Sequence, residues 1–290
     1  MVMRRPTTHN SRPTTQGLHS ELGVTLIEMV MAIVITGIIG AAVAVFIRRP
    51  VEGYVDAARR AELTDIADTA LRRMTRDLRR ALPNSIRVDA TGKYLEYLQT
   101  SGGGRYRSDV ASDGSGDALD FTGDTSFDVL GPMPSNAALG DLVVIYNLGP
   151  GSGTTDAYQG AAGNTSSITG IGASSISFNL KIFPFPSPGK RFQTVSGPVT
   201  YYCNPDPTNG ILRRISGYAV TDPQPTNIAA APLSTAPVNA LLATSVTACS
   251  FVYNTITQRA ATVALNLEIK HTQSGETVRL FQQVNINNVP

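Results

Sequence analysis

Tryptophan is absent from this chain and histidine nearly so: three residues in 290, with His9 and His19 in the polar N-terminal leader and only His271 beyond it. A hydrolase triad or a histidine-rich metal centre therefore has almost no material, and His271 reads as an exposed residue at a strand end. Cysteine is limited to Cys203 and Cys249, whose spacing fits no metal-ligand pattern. Phosphate-binding loops are missing too. The Gly-Lys pairs, Gly92-Lys93 and Gly189-Lys190, lack a glycine five residues upstream and a following Ser or Thr. Only 16% of residues are charged and the net charge is +2, so no global field argues for nucleic acid. These absences point away from an enzyme, with no catalytic residue, cofactor or metal ion to assign, and away from nucleic-acid binding. What the chain does have is 26 glycines and 18 prolines, the composition of a turn-rich β domain rather than a helical one.

One long apolar run interrupts that pattern. Val24 to Ile47 carries a single ionisable residue, Glu28, and Met29 to Ile47 carries none. About twenty apolar residues rising ~1.5 Å each cross a bilayer core of about 30 Å, so the run predicts a membrane-spanning helix. A charge well inside hydrocarbon costs roughly 2.5 kcal/mol or more, and such residues usually have a partner and a function. The polar leader ending in Gly23, the small apolar Val24, then Thr25-Leu26-Ile27 and Glu28 ahead of a continuous apolar helix resemble a type IV prepilin. The resemblance implies cleavage between Gly23 and Val24 by a membrane prepilin peptidase and methylation of the new Val24 amine. Val24 stands where that family usually has Phe, a departure that bears on the efficiency of cleavage or methylation. The resemblance also implies an assembly role for Glu28, which in a filament would pair with the N-terminal amine of a neighbouring subunit and fix the axial register. Removing one partner of such a buried pair costs roughly 3–5 kcal/mol. Three plainer readings remain beside it: an ordinary secretory signal ending at Ala42-Val43-Ala44, a plain signal anchor, and a Glu28 that only snorkels to the headgroups. Flanking arginines do not set the orientation, because Arg4, Arg5 and Arg12 precede the run and Arg48, Arg49, Arg59 and Arg60 follow it.

The boundaries that follow are a leader over 1–23, a transmembrane helix over 24–47, an amphipathic helix over 48–82 and a β-rich domain over 83–290. Pro50 and Gly53 predict a kink or local melting between Arg49 and Tyr54. Beyond it Leu63, Ile66, Ala67, Ala70, Leu71, Met74, Leu78 and Leu82 recur at three- and four-residue steps, an apolar helical stripe ended by Pro83 and Asn84. Asp56/Arg60 and Asp68/Arg72 are spaced as favourable i,i+4 pairs. Arg72, Arg73, Arg76, Arg79 and Arg80 form a basic cluster, read either as a solvated face or as a contact with an acidic neighbour. From Ser85 onward, Tyr94–Leu98, Leu142–Tyr146, Ile176–Leu180, Thr194–Cys203, Leu212–Val220, Cys249–Tyr253, Ala261–Lys270 and Thr277–Ile286 read as strands, the last two joined by a turn over Gln273–Glu276. Ser101–Gly104, Asp113–Asp117, Gly149–Thr155 and Pro205–Asn209 read as loops, and Asp222–Pro237 as a Pro/Ala-rich connection. The fold class expected is α+β, with a long N-terminal helix packed on an antiparallel β-rich domain.

A second resemblance covers almost the whole chain. Arg49-Pro50-Val51-Glu52-Gly53-Tyr54, Leu71-Arg72-Arg73-Met74, Leu78 through Ser85, Pro198 through Cys203, Leu212-Arg213-Arg214 with Gly217-Tyr218, Cys249-Ser250-Phe251 and Asn288-Val289-Pro290 are similar to the MshO family of minor pilins. That family serves biogenesis of the mannose-sensitive haemagglutinin pilus. The likeness implies a minor subunit in initiation or at the tip of the pilus. It would be held in the inner membrane by one span, with its C-terminal domain in the periplasm and later on the cell surface. Implied partners are the prepilin peptidase, other minor and major pilins, the inner-membrane assembly platform and the lipid bilayer. A minor pseudopilin of type II secretion and a tip adhesin are the competing readings. In an exported domain the pair Cys203 and Cys249 reads as a disulfide, with two free buried thiols as the alternative. Asp113, Asp117, Asp120 and Asp124 read as turn formers, with calcium ligation as the second reading. Asn164-Thr165-Ser166 is a glycosylation sequon.

Overall fold

The computed structural model describes residues 23–257, 259–272 and 274–290; residues 1–22 of the leader expected over 1–23, and Gln273 of the expected turn, lie outside the described residues. Two compact units divide the chain, Met1–Asp56 and Ala57–Pro290.

The first unit is helical. Helix α1, Leu26–Leu78, begins within it. Thr25 stands before the helix, and its Oγ1 accepts the Glu28 backbone N–H at 3.3 Å, which satisfies one of the donors every helix N-terminus leaves open. Glu28 lies in the first turn, where a carboxylate complements the helix dipole. The helix runs through Pro50 without interruption, so the local melting expected between Arg49 and Tyr54 does not occur. Proline removes a single N–H···O bond, whereas unwinding the surrounding turn would forgo several.

In the second unit, α1 from Ala57 onward buries Leu63, Ala67, Ala70, Leu71, Met74 and Leu78, the stripe that the helical period predicts. The helix stops at Leu78, four residues short of the expected Leu82. Arg80 and Ala81 donate to the Asp77 and Leu78 carbonyls at 2.9 and 3.2 Å, a tightened last turn. Sheet bonding then takes over, because Ala81 bridges to Gln99 and Leu82 N–H donates to the Leu98 carbonyl at 2.8 Å.

Nine strands form one sheet: β1 (Arg87–Val88), β2 (Tyr94–Tyr106), β3 (Asp124–Leu130), β4 (Leu142–Val144), β5 (Thr165–Ile171), β6 (Ser175–Lys181), β7 (Arg191–Asn204), β8 (Ile211–Ser216) and β9 (Val238–Thr244). Their order is β1-β2-β3-β6-β5-β4-β7-β8-β9, and β2 also pairs with β7. That additional pairing gives the sheet two parts, both antiparallel throughout. The strands β1-β2-β7-β8-β9 make an open sheet. The strands β2-β3-β6-β5-β4-β7 close into a ring. The turn from one part to the other falls where β2 shifts register between Gln99 and Gly102, as bulges commonly allow.

A separate antiparallel sheet consists of β10 (Val246–Thr257), β11 (Ala260–Lys270) and β12 (Thr277–Asn287), in that order. The α1 stripe shares one core with both sheets. Leu95 and Tyr97 from β2, Val199, Tyr201 and Cys203 from β7, and Ala261, Val263, Leu265, Leu267 and Ile269 from β11 all enter it. Each set recurs at every second residue, the period of a strand with one buried face. The ring has its own core, rich in aromatics: Tyr106, Phe127, Phe178, Phe183 and Phe192 with Val129, Val143, Ile145, Ile168 and Ile176.

Several boundaries differ from those expected. Ser101–Gly104 is not a loop but part of β2, with Gly102, Gly103 and Gly104 opposite Thr194, Gln193 and Phe192. The glycines answer a close approach. A Cβ on Gly102 would lie 2.5 Å from the Pro134 Cβ, and one on Gly103 would lie 2.9 Å from the Phe192 carbonyl oxygen. The run expected over Leu142–Tyr146 stops at Val144, ahead of Tyr146 at φ 57°. The run expected over Leu212–Val220 stops at Ser216, ahead of Gly217 at φ 85°. Strands β1, β3, β5 and β9 were not among the expected runs.

Candidate assembly site

The residues singled out at the N-terminus sit together at the start of α1. Gly23, Val24 and Thr25 precede the helix in non-helical backbone, and the space around Gly23 is open. Val24 is 68% exposed, Leu26 83% and Phe46 81%. The most apolar window of α1 has mean hydropathy 2.8 and none of it is buried. By length and composition α1 can cross a membrane. Water is a poor environment for such a surface, at roughly 25 cal/mol per Å² of apolar area, and hydrocarbon or other apolar helices suit it better. The Glu28 carboxylate is exposed on the same turn and open to a cationic partner.

Cys203 and Cys249 belong to the second unit and form a disulfide, with their Cα atoms 6.5 Å apart. Cys203 lies on β7 and Cys249 on β10, so the bond ties the open sheet to the three-stranded sheet across the core that α1 fills.

Two buried polar clusters in this unit escaped the sequence reading. In the first, the Asp77 carboxylate at the end of α1 accepts from Arg214 Nε at 2.8 Å and from the Tyr201 hydroxyl at 2.7 Å. Arg214 also donates to the Gln99 side chain at 2.8 Å. Burial, then the neighbouring Tyr97 and the negative Asp77, push the Tyr201 hydroxyl far above its ordinary pKa, so it stays a donor. In the second, Glu96 on β2 is fully buried and pairs with Arg87 at 2.9 Å. It also accepts from the Tyr218 hydroxyl at 3.1 Å. The Arg87 guanidinium lies 3.6 Å from the centre of the Tyr158 ring, a cation–π contact. Burial raises the Glu96 pKa, against the Arg87 charge and the hydrogen bonds from Arg87 and Tyr218. The sequence held one signal of it: Glu96 is the lone charge in Tyr94-Leu95-Glu96-Tyr97-Leu98. Both clusters fasten loops and the helix end to the open sheet.

The aspartates weighed as calcium ligands are taken up in local turns. Asp113 accepts from Ser115, Asp120 from Thr122 and Asp117 from Ser126, while Asp124 accepts from the backbone of Asp120 and Thr125. Among the described residues no group of three or more His, Cys, Asp and Glu could hold a metal ion. Asn164 of the sequon is buried, and its amide donates to the Ile145 and Thr155 carbonyls at 3.0 and 3.2 Å, which leaves no room for a glycan. His271 follows β11 half-buried rather than exposed, and its Nδ1 accepts from Ser274 N–H at 3.2 Å. Asp68 and Arg72 pair as expected at 2.6 Å, and Arg60 reaches Glu276 at 2.5 Å. No family model matches the chain, and no curated protein or solved structure does.

Proposed function

We propose that this chain is a minor pilin, a subunit processed by a prepilin peptidase and inserted during initiation of a type IV pilus of the MSHA kind. The observation that carries the proposal is the helix start. Gly23 and Val24 lie in open, non-helical backbone, Thr25 caps α1, and Glu28 is the one ionisable residue of an exposed apolar run. A peptidase needs an accessible bond outside regular helix, and Gly23 and Val24 are exposed and non-helical. Once it is cut, the Val24 amine carries a positive charge four residues from the Glu28 carboxylate of its own chain and meets the same carboxylate on a neighbour. In hydrocarbon that pairing is strong because neither charge has water as an alternative partner.

The rest of the molecule supports a structural role. The α1 stripe anchors an antiparallel β domain whose polar clusters face inward, and a disulfide suits a domain that works outside the cytoplasm. Assembly of this kind needs no catalytic group. Partners on this reading are the prepilin peptidase, other minor and major pilins and the inner-membrane assembly platform. The test is mass spectrometry of the chain recovered from cells that make the peptidase. A chain starting at N-methylated Val24 is expected; one starting at Val45, or retaining residues 1–23, overturns the proposal.

A further inference from the structure

The two edges of the three-stranded sheet differ. Along β10 the outer edge is taken up by loops: Phe251 N–H donates to the Gly92 carbonyl at 2.9 Å, and Val246 N–H to the Gly210 carbonyl at 3.1 Å. The outer edge of β12 has no such cover. At the ends of its pairing with β11, His271 N–H donates to the Glu276 carbonyl at 2.8 Å and Asn288 N–H to the Arg259 carbonyl at 3.0 Å. The register between those ends has no shift, so the backbone of every second residue turns inward to β11. The backbone groups of Thr277, Arg279, Phe281, Gln283, Asn285 and Asn287 face the other way, onto the free edge. All six residues are exposed, and among the described residues none of their outward N–H and C=O groups has a hydrogen-bond partner.

Long edge strands are usually blunted by a proline, a bulge or lysines. Strand β9, at the edge of the larger sheet, follows Pro237 and meets a register shift between Leu212 and Arg213. Strand β12 is longer, at 11 residues, and has none of these devices. Arg279 is its one charge, and Phe281 is 65% exposed.

The side-chain pattern of β12 is its own complement about Gln282. Val278, Leu280, Val284 and Ile286 pack on the core in alternate positions. Gln282 stands in the same phase, opposite Leu265, yet it is polar and exposed. An antiparallel two-fold pair centred on Gln282 gives every outward backbone group a partner. It sets Val278 against Ile286 and Leu280 against Val284, and Arg279 meets Asn285 rather than its own copy. At the axis the two Gln282 amides each donate and accept. We propose that the free edge of β12 pairs with β12 of a second copy of this chain, antiparallel and centred on Gln282, so that the two three-stranded sheets become one. Such a contact is isologous, so it closes at two copies and does not propagate. It stands apart from the function proposed above, since it needs neither cleavage at Gly23 nor the apolar part of α1.

The experiment uses the full chain, purified in detergent from a host without pilus genes. In the proposed pair the two Gln282 residues face each other with Cα atoms about 4.5 Å apart, within reach of a disulfide. The two Arg279 residues would stand about 20 Å apart at ~3.4 Å per residue. Gln282→Cys should therefore cross-link under mild oxidation at least about tenfold faster than Arg279→Cys. The native cysteines do not compete, being bonded to each other. Equal cross-linking rates overturn the register. By light scattering the wild-type chain should form a dimer and Phe281→Pro a monomer. Proline at 281 removes an outward N–H and no bond to β11, and edge strands accept it there. Resistance of Cys203 and Cys249 to alkylation reports that the variant is folded. Gln283→Pro, whose N–H also faces outward, gives the same reading if Phe281→Pro fails that check. Folded proline variants that remain dimeric place the contact elsewhere and overturn the proposal. A wild-type chain that stays monomeric at every concentration overturns it too, and leaves the edge to a strand of a different protein.

Discussion

Asp77 ties the end of α1 to two strands of the open sheet. It closes the end of α1, accepts from Tyr201 on β7 and neutralises Arg214 on β8, at 2.7 and 2.8 Å. Replacing one partner of a largely buried pair leaves the other charge without compensation. Asp77→Ala should therefore cost about 3 kcal/mol in a urea melt of the full chain. Arg214→Ala should cost a similar amount, and the double substitution clearly less than the sum. Additive costs would show that the two side chains are independent. At Gly23 the proposed cleavage predicts an effect on processing alone. An added methyl meets nothing within 4 Å, so Gly23→Ala should leave folding intact while uncleaved chain accumulates on an immunoblot. Cleavage at the wild-type rate would mean that the peptidase does not read this glycine.

At the scale of elements, the sequence was most legible where a pattern is local and least where pairing is remote. The apolar stripe on α1, the alternation of β11 and the hairpin that joins it to β12 each follow from neighbours a few residues apart. Strand β5, Thr-Ser-Ser-Ile-Thr-Gly-Ile, is too polar to announce itself. Strand β9 lies at a sheet edge with only Ala243 buried, so it carries no alternation, and β3 starts inside an aspartate-rich turn region. Their strand character comes from hydrogen bonds to partners elsewhere in the chain. Gly102-Gly103-Gly104 misleads for a related reason: glycine is read as loop, yet here it lets β7 approach. Gly103→Val should place its Cβ against the Phe192 carbonyl, at the 2.9 Å that backbone cannot yield. A loss of about 1–3 kcal/mol is expected. Amide exchange should quicken in β2 and β7 near the ring while β10–β12 keep their protection. Uniform quickening across both sheets would show that the ring and the three-stranded sheet unfold together. Of the candidate site, Gly23, Val24 and Glu28 could be named from the sequence because the proposed motif is contiguous. The two polar clusters could not, since Asp77 and Arg214, or Arg87 and Glu96, meet only through the sheet.

For the whole molecule, the disulfide and Glu28 separate stability from assembly. Cys203–Cys249 closes a loop of 46 residues and joins two sheets, worth up to about 4 kcal/mol in the chain-entropy model. Cys203→Ala with Cys249→Ala should lower the melting temperature and the level of chain in cells. A variant as stable as the parent would show that the α1 core alone holds the sheets. Glu28 should behave in the opposite way. It lies in the first unit, and the β domain from Ala57 onward has its own cores. Glu28→Ala keeps the backbone N–H that Thr25 caps and makes the span more apolar, so insertion should be equal or better. Domain stability and disulfide formation should not change. Under the proposed function, what should fail is association with pilins, because a neighbour's Val24 amine would lose the only carboxylate the run offers. The readout is recovery of partner pilins with the tagged chain, alongside a count of surface pili in a strain whose sole copy is the variant. Chain level is measured in the same cells, so that lost protein is not mistaken for lost assembly. Normal recovery and normal piliation at normal chain level would confine Glu28 to complementing the helix dipole.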